Sequence, residues 1–381
     1  MVLRAYRNDR TDVVLDGAEE ILFDPIHTST RNLLAKGLLG GLDAYSTYLS
    51  QQEFEDYYAD LAGSGSGIGI QVRKVPQGLL IEKVIANSPA SHVKGIKAGH
   101  IITAVDGVQV TGLAARASKY LLKGFEGTPV SLKLINHQNK ESEVKIRRQV
   151  FAFDESRIKE QEVETTETSE KVAVVEVPNF YGRGGMTDSE ERSSSEDLEA
   201  VMKAMVEKKN PPEALVLDLR GNPGGYLEEA VAMAGIFLGN EPVVGVKEHA
   251  EPRVLRAQHE APLFKGSLVV LIDDQTASAS EVLAAALKDH RRAVVIGSSH
   301  SFGKGSVQRL FHLDDPFLGD DFSVSNGRGV VKVTTSVFYS PLGTTPLDGG
   351  VKSDIVLPGA VDSGNDFDVL KDHDPEISPL L

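Results

Sequence analysis

The chain has 381 residues, of which 41% are hydrophobic and 25% are charged, and its formal net charge is −15. This length allows two or three domains with sizeable cores, and the composition is typical of a soluble globular protein. The negative charge argues against nucleic acid and anionic membranes as main partners. The absence of cysteine excludes disulfides and thiol chemistry and is compatible with an oxidising compartment.

The first region, residues 1–62, is predicted to be mainly helical. Apolar residues such as Leu33, Leu34 and Leu38 recur there at helical spacing. We interpret this region as a packing element without chemistry. The whole sequence lacks a run of about 18 apolar residues, so we expect no membrane span.

A glycine-rich segment, Gly63–Gly67, predicts a flexible hinge by composition. Residues 63–150 then show strand-like runs, glycine turns and one helical run at 113–123. The GIGI motif and the later run GIKAGHIITAVDGVQV together resemble a PDZ domain, a β-rich α+β domain. The resemblance implies a loop whose N–H groups bind a peptide C-terminus while the peptide adds as a strand. The residues of this loop are Gly67, Ile68, Gly69 and Ile70.

The region 151–360 opens on a polar, acidic stretch and then alternates strand and helix patterns. A buried-strand run at 215–220 ends in the glycine turn Gly221–Gly225, and a helical run begins at Glu228. Such a turn can bind phosphate, but no Lys-Ser/Thr pair follows the glycines, so a nucleotide site is disfavoured. The plain structural alternative is a tight turn that needs positive φ. Residues 361–381 are predicted to be a loose acidic tail.

Ser278 begins a helical pattern, and Lys304 lies further along the chain between two glycines. A serine hydroxyl is a poor nucleophile until a neighbour accepts its proton, and a lysine desolvated by burial can be that base. We therefore interpret Ser278 as a nucleophile and Lys304 as its base. The helix N-terminus favours an oxyanion, with the N–H of Ala279 as a donor. Alternatively, the Ser278–Glu281 run is only an S-x-x-E capping box.

Three separated motifs resemble those of the carboxyl-terminal processing (tail-specific) serine peptidases. They are DLRGNPGG, TASASE and FGKGSVQ, at residues 218–225, 276–281 and 302–308. The resemblance implies a Ser278–Lys304 dyad, with Gln308 positioning the lysine and Asp289 in support. It covers the chain from about residue 40 to residue 358 and therefore also bears on the fold.

The resemblance implies an α/β fold with a crotonase-like peptidase core at 151–360, a helical segment at 1–62 and an inserted PDZ domain at 63–150. An N–H group of Gly224 or Gly225 would complete the oxyanion hole. The expected partners are proteins or peptides with free C-termini and an adaptor protein, and no cofactor or metal is expected. Members of the family usually act outside the cytoplasm. We therefore expect a periplasmic or otherwise extracytoplasmic protein whose signal peptide has been removed, because the N-terminus lacks an apolar core.

The residues alone leave other functions to be considered. In a non-catalytic scaffold, peptide binding by the PDZ-like module would be the only function. The joint presence of Ser278, Lys304 and Gln308 argues against this. A Ser–His–Asp hydrolase would use His290 or His300, yet the sequence shows no G-x-S-x-G context for either. A P-loop at Lys304 is disfavoured because a glycine follows the lysine where Ser or Thr is required.

Overall fold

The computed structural model describes residues 28–61, 64–111, 113, 121–122, 127–138, 140–152, 157–164, 171–182, 193–248, 252–313, 329–358 and 378–381. The chain forms two compact units, one of Met1–Phe54 with Arg157–Leu381 and one of Glu55–Ser156. Three predicted features lie wholly or mostly outside the described residues. They are the helices before residue 28, the helix at 113–123 and the acidic tail at 361–381.

The helices in the described residues are α1 (Thr28–Gly40), α2 (Gln51–Leu61), α3 (Ser194–Val206), α4 (Leu227–Leu238) and α5 (Ala279–Asp289). The strands up to residue 156 are β1 (Thr47–Leu49), β2 (Ser64–Gly67), β3 (Ile70–Val75), β4 (Gly78–Val84), β5 (Ile101–Val105), β6 (Val108–Gln109), β7 (Pro129–Ile135), β8 (Glu141–Arg147) and β9 (Gln149–Ala152). The later strands are β10 (Lys159–Glu164), β11 (Lys171–Glu176), β12 (Ala214–Asp218), β13 (Pro242–Lys247), β14 (Arg253–Arg256), β15 (Ser267–Ile272), β16 (Val294–Gly297), β17 (Ser306–His312), β18 (Val330–Tyr339) and β19 (Ile355–Val356).

The larger unit contains a six-stranded sheet in the order β10-β11-β12-β15-β16-β19. All its strands run parallel except β10, which pairs antiparallel at one edge. The central strands are apolar runs such as ALVLD and SLVVLI, as expected for parallel strands covered by helices. Leu198 of α3, Ile236 of α4 and Leu283 of α5 share one buried cluster with Leu217 of β12. The predicted α/β architecture is confirmed in this form.

A second sheet of the larger unit is built around β18, which is ten residues long. The order is β1-β18-β13-β14, with β17 also paired to β18, and every pair is antiparallel. This topology brings β1, which comes from the N-terminal region, beside the strand that pairs with β17. The Lys304 loop leads directly into β17, so the N-terminal region reaches the neighbourhood of the predicted base.

The smaller unit holds a six-stranded antiparallel sheet, β3-β4-β5-β7-β8 with β6 on β5. Its core includes Ile81, Ile102 and Leu132. The described part of the predicted hinge is instead strand β2, which pairs antiparallel with β9. The hinge prediction therefore needs correction: composition indicated a flexible segment, but the pairing partner lies far along the chain, where a local pattern cannot reveal it.

Several element positions predicted for the larger unit are confirmed. The strand run predicted at 215–220 corresponds to β12 (Ala214–Asp218), and the helical run predicted to begin at Glu228 begins one residue earlier. Within the described residues, no helix is long and apolar enough to cross a membrane. The same residues contain no group of three or more His, Asp or Glu side chains that could hold a metal ion.

Candidate active site

Ser278 occupies the turn that joins β15 to α5 and immediately precedes the helix. Its φ is 59° and its ψ is −118°, a backbone conformation that residues with a Cβ rarely adopt. Such strain costs on the order of 1–3 kcal/mol and persists only where the surrounding structure imposes it, often at functional sites. The half-buried side chain stands at a helix N-terminus, where N–H groups favour negative charge.

The carboxylate of Glu281 joins the two residues predicted to form the dyad. Its Oε2 accepts hydrogen bonds from the backbone N–H groups of Ser278 and Lys304, each at 2.8 Å. Its Oε1 accepts from the N–H of Gly303 at 2.7 Å and from the hydroxyl of Ser301 at 2.6 Å. The side chain is fully buried, and burial raises the pKa of this carboxyl while its donors oppose that rise. The backbones of Ser278 and Lys304 are therefore fixed to one oxygen atom.

Glycines on both sides of Lys304 permit the course of its backbone. Gly303 has a φ of 93°, a value that strains any residue with a side chain. A Cβ on Gly305 would lie 2.6 Å from Thr345 Oγ1 and would force the neighbouring segment to move. Gly305 is therefore a position at which the backbone closely approaches another chain segment.

Lys304 lies in an environment that disfavours its charged form. Burial lowers the pKa of Lys304 to about 8, the positive charge of Lys332 acts in the same direction, and the carboxylate of Glu281 opposes both. The Lys304 Nζ lies 5.1 Å from the centroid of the Tyr45 ring. A lysine with a pKa this close to neutrality can both accept and return a proton during a reaction.

Asn222 joins the glycine loop after β12 to the turn that holds Ser278. Its backbone carbonyl accepts from the N–H of Ala277 at 2.9 Å and from the hydroxyl of Ser280 at 3.1 Å. Its side-chain oxygen accepts from the N–H of Gly224 at 2.8 Å. Asn222 and Ser280 are fully buried. The Ser280 hydroxyl is thus a structural donor, which leaves Ser278 as the half-exposed serine of this motif.

The predicted oxyanion-hole residues are placed differently from one another. A Cβ on Gly224 would lie 2.7 Å from the Cβ of Ser278 and 3.1 Å from the nitrogen of Ala279, so these backbones are in close contact. The N–H of Gly224 already donates to a side-chain oxygen of its own loop. Gly225 instead lies against the carbonyl of Phe180, with which a Cβ would collide. Ala279 is the first residue of α5, so its N–H belongs to the group that the helix leaves without an internal acceptor.

Gln308 belongs to a hydrogen-bond network that reaches the N-terminal region. Its amide donates to the hydroxyl of Ser306 at 2.8 Å and, over 3.4 Å, to the hydroxyl of Thr334. Thr334 in turn donates to the carboxylate of Asp43 at 3.0 Å. The N-terminal region, predicted to have only a packing role, therefore contacts the strands that surround Lys304.

Asp289 lies at the far end of α5 from Ser278. Helix geometry places the two residues about 16 Å apart along the axis. The Asp289 carboxylate accepts from the N–H of Leu342 at 2.9 Å. The structure therefore does not bring Asp289 to the dyad, because the helix carries it away from the N-terminal turn.

The histidines of the rival hydrolase interpretation have other neighbours. A ring nitrogen of His290 lies 2.8 Å from the carbonyl of Pro242, at the C-terminal end of α5. A ring nitrogen of His300 lies 2.7 Å from the carbonyl of Ser301. The position of His290 beyond the far end of the helix argues against it as a base for a nucleophile at the near end.

The predicted carboxylate loop joins β2, which ends at Gly67, to β3, which begins at Ile70. The carbonyl groups of Ile68 and Gly69 accept backbone N–H groups from the 85–90 turn at 2.8 and 2.9 Å. Among the described strands, β3 has a partner on one side only, β4. An edge strand of this kind can accept an added strand.

Comparisons with known proteins show which families the chain resembles. A model of peptidase family S41 matches residues 171–357, and a PDZ-domain model matches residues 66–147. The chain is 31% identical over 327 residues to a carboxy-terminal-processing protease of Bartonella bacilliformis, covering 84% of this chain and 68% of that protein. It is 31% identical over 332 residues to a tail-specific protease of Haemophilus influenzae, covering 84% of this chain and 45% of that protein. A solved structure of a photosystem II D1 C-terminal processing protease aligns with a TM-score of 0.49 and 20% identity, over 93% of this chain and 89% of that chain.

The described geometry places a strained serine at a helix N-terminus and joins it through one carboxylate to a lysine of lowered pKa. The chain belongs to peptidase family S41 and carries a PDZ domain. The predicted family and enzyme class are thus confirmed. The chain spans 68% and 45% of the lengths of the two relatives named above.

Three residues of the site were missed by the sequence interpretation. Glu281 was recognised only as the last residue of a capping box, although its position three residues after Ser278 was a usable signal. Asn222 stands inside the glycine motif, where a buried polar residue between glycines is a weaker signal. Tyr45 carried no signal, because nothing in the local sequence relates it to Lys304.

Proposed function

We propose that this chain is a serine endopeptidase in which Ser278 is the nucleophile and Lys304 is the general base. The observation that carries the proposal is the shared Glu281 oxygen, which accepts from the backbone N–H groups of both residues at 2.8 Å. The lowered pKa of Lys304, about 8, supports the base role, because part of the lysine population is neutral near physiological pH. The mostly parallel sheet with α3, α4 and α5 supports assignment of the core to the crotonase-like fold.

The reaction runs in two halves. Neutral Lys304 takes the proton of the Ser278 hydroxyl as the oxygen attacks the scissile carbonyl carbon, and the oxyanion forms beside the N-terminus of α5. Lys304 then gives the proton to the leaving amine, the C–N bond breaks, and an ester with Ser278 remains. Water, deprotonated by Lys304, hydrolyses this ester and returns the serine hydroxyl and the lysine to their starting states.

The oxyanion hole uses two backbone donors in this proposal. The N–H of Ala279 is the first, because it lies at the unsatisfied end of α5 and next to Ser278. The glycine loop supplies the second. Gly225 is the preferred residue, since the N–H of Gly224 already donates to Asn222 at 2.8 Å.

Substitution of the nucleophile tests the proposal directly. Ser278→Ala should abolish cleavage of an unfolded protein substrate while the variant stays folded. Ser280→Ala, which removes a buried structural donor, should retain measurable turnover. Activity in Ser278→Ala together with its loss in Ser280→Ala would show that the wrong serine has been assigned.

Substitution of the base supplies the second test. Lys304→Arg should be inactive, because a guanidinium stays protonated and cannot accept the Ser278 proton. In the unmodified enzyme kcat/KM should rise with pH and reach half its maximum near the Lys304 pKa of about 8, since only the neutral amine is a base. An arginine variant with near-normal turnover would contradict the dyad.

We further propose that the PDZ domain selects substrates by their free C-terminus, bound at the Gly67–Ile70 loop with the tail added beside edge strand β3. A carboxylate bound by backbone N–H groups gains about 1.5–3 kcal/mol, so amidation of a substrate tail should slow cleavage about ten-fold or more. A side chain added at Gly69 should remove the difference between acid and amide. Equal turnover of both substrates below saturation would show that tail selection lies elsewhere.

We propose that the enzyme acts outside the cytoplasm, as the sequence resemblance implies. The lack of cysteine is compatible with an oxidising compartment. Fractionation of cells that produce the protein from its native locus would test this. Recovery in the cytoplasmic fraction alone would contradict it.

A further inference from the structure

The segment Asp43–Tyr48 is tied closely to the strands of the second sheet. The Asp43 carboxylate accepts the N–H groups of Tyr45 and Ser46 at 2.7 and 2.8 Å, which closes a tight turn. The same carboxylate accepts the hydroxyl of Thr334 at 3.0 Å, and the hydroxyl of Ser46 accepts the N–H of Thr334 at 3.0 Å. Strand β1 continues this attachment as a partner of β18. The turn that carries Tyr45 is therefore held in place from two sides.

Tyr45 directs its ring toward Lys304. The Lys304 Nζ lies 5.1 Å from the ring centroid, within the range in which an aromatic face attracts a cation. Among the described residues, no second aromatic ring is paired with this lysine. Tyr45 is half-buried, so the contact is partly shielded from water. A lysine side chain is flexible, so a packing contact such as this ring restricts the positions that its nitrogen can take.

Two charged groups face Lys304 from other elements. Lys332 on β18 disfavours the ammonium, and Glu281 on α5 favours it. Lys332 lies opposite Thr47 of β1, and the Asp43 carboxylate favours the charged form of Lys332. The Asp43 turn and Lys332 therefore belong to one cluster of charged groups. The ring attracts the ammonium and Lys332 repels it, so their effects on Lys304 oppose each other.

We propose that Tyr45 is a positioning residue for the catalytic base: its ring holds the side chain of Lys304 and stabilises the ammonium form. The Asp43 turn fixes the ring in place. This inference deepens the proposed Ser278–Lys304 function and rests on it. It gives the N-terminal segment a role in setting the pH range of the enzyme.

The experiment measures Lys304 itself, so that it does not depend on turnover. In the full chain with Ser278→Ala, the rate at which an amine-directed acylating reagent modifies Lys304 is followed against pH by peptide mass spectrometry. Tyr45→Leu keeps an apolar side chain but removes the ring, and Tyr45→Phe keeps the ring. Phe302→Leu is the matched control, because it removes an aromatic residue close in sequence to Lys304.

Loss of the attraction between ring and ammonium should lower the pH midpoint of Lys304 in Tyr45→Leu by about 0.5–1 unit. Tyr45→Phe and Phe302→Leu should keep the original midpoint, and thermal unfolding should show all variants folded. An unchanged midpoint in Tyr45→Leu would overturn the proposal. An upward shift would also overturn it, because the ring would then act only by excluding water.

The parallel measurement in enzyme with Ser278 intact separates this inference from the proposed function. The lower midpoint should appear in the pH profile of kcat/KM for Tyr45→Leu, together with a fall of about ten-fold in the limiting rate as the base loses its fixed position. A shift in the modification profile without one in kcat/KM would show that Tyr45 contacts Lys304 but that Lys304 is not the base. Near-normal turnover in Lys304→Arg would also show that Lys304 is not the base.

Discussion

The two ends of helix α5 differ both in the backbone conformation of the boundary residue and in its surroundings. At its N-terminus a residue with φ of 59° precedes the helix, and the buried Glu281 accepts hydrogen bonds from four donors. At its C-terminus His290 takes an ordinary helical conformation, and Asp289 accepts one N–H from a surface turn. Strain and a buried acidic side chain occur together at the end proposed to be catalytic, whereas the other end has only an acidic residue.

A second capping box in the same unit sharpens the comparison. In α3 the carboxylate of Glu196 accepts the N–H of Ser193 at 2.9 Å, as Glu281 does for Ser278. Glu281 also holds a second chain segment, the one that carries Lys304. The same capping-box motif therefore caps the helix in α3, whereas in α5 it also binds a distant segment. The long-range hydrogen-bond partners alone distinguish the two cases.

The largest effect is expected for Glu281→Gln. The amide nitrogen of glutamine would face two of the four donors, and each orphaned buried donor costs about 1–3 kcal/mol. Turnover should fall at least about 100-fold, because a displacement near 1 Å at reacting groups has effects of this size. Turnover and urea unfolding of the purified variant measure both losses.

The matched control for this change is Glu196→Gln at the α3 capping box. Glutamine is accepted at this position of a capping box, so turnover should stay near normal and stability should change little. Equal losses in the two variants would show that Glu281 acts only as a helix cap. Such a result would remove the distinction between the two motifs.

An intermediate effect is expected from two variants of Ser278 that lack the hydroxyl group. Glycine tolerates the positive φ that strains serine and alanine, so Ser278→Gly should be about 1 kcal/mol more stable than Ser278→Ala after the entropy cost of glycine. Chemical unfolding of both proteins at one pH gives the difference. A less stable glycine variant would mean that the backbone at this position stores no strain.

The smallest effect is expected at the other end of the helix. The amide oxygen of Asp289→Asn can still accept the N–H of Leu342, so stability should change by less than about 1 kcal/mol and turnover by a few-fold at most. Steady-state kinetics and unfolding measured in parallel will decide this. A 100-fold loss of turnover would show that Asp289 contributes to the reaction, in the supporting role that the family resemblance implies.

The features of the site that depend on short chain segments could be predicted from the sequence. The helix pattern after Ser278, the glycines around Lys304 and the glycine loop at Gly224 all follow from backbone needs that a short segment expresses. The same reasoning located the buried strand β12, since parallel strands covered by helices show as apolar runs.

The remaining parts depend on contacts between distant segments. Tyr45 reaches Lys304 only because β1 pairs with β18, and strand pairing of this kind has no local signature. The second role of Glu281 depends on the return of the chain through β16 to the Lys304 loop. Asp289 shows the opposite case: its type and order matched a family pattern, but helix geometry places it far from Ser278.

The ladder between β2 and β9 has a consequence for how the chain is assembled. Gly67 pairs with Gln149 and Ser64 with Ala152, so the first and last strands of the smaller unit are hydrogen-bonded neighbours. Neighbouring strands lie about 5 Å apart, so this pairing holds the start of β2 and the end of β9 close together. Loop-closure entropy grows slowly with length and is set by the distance that must be closed. An insertion whose first and last strands pair with each other closes most of its own chain, so only the short flanking segments remain to be ordered when the host folds.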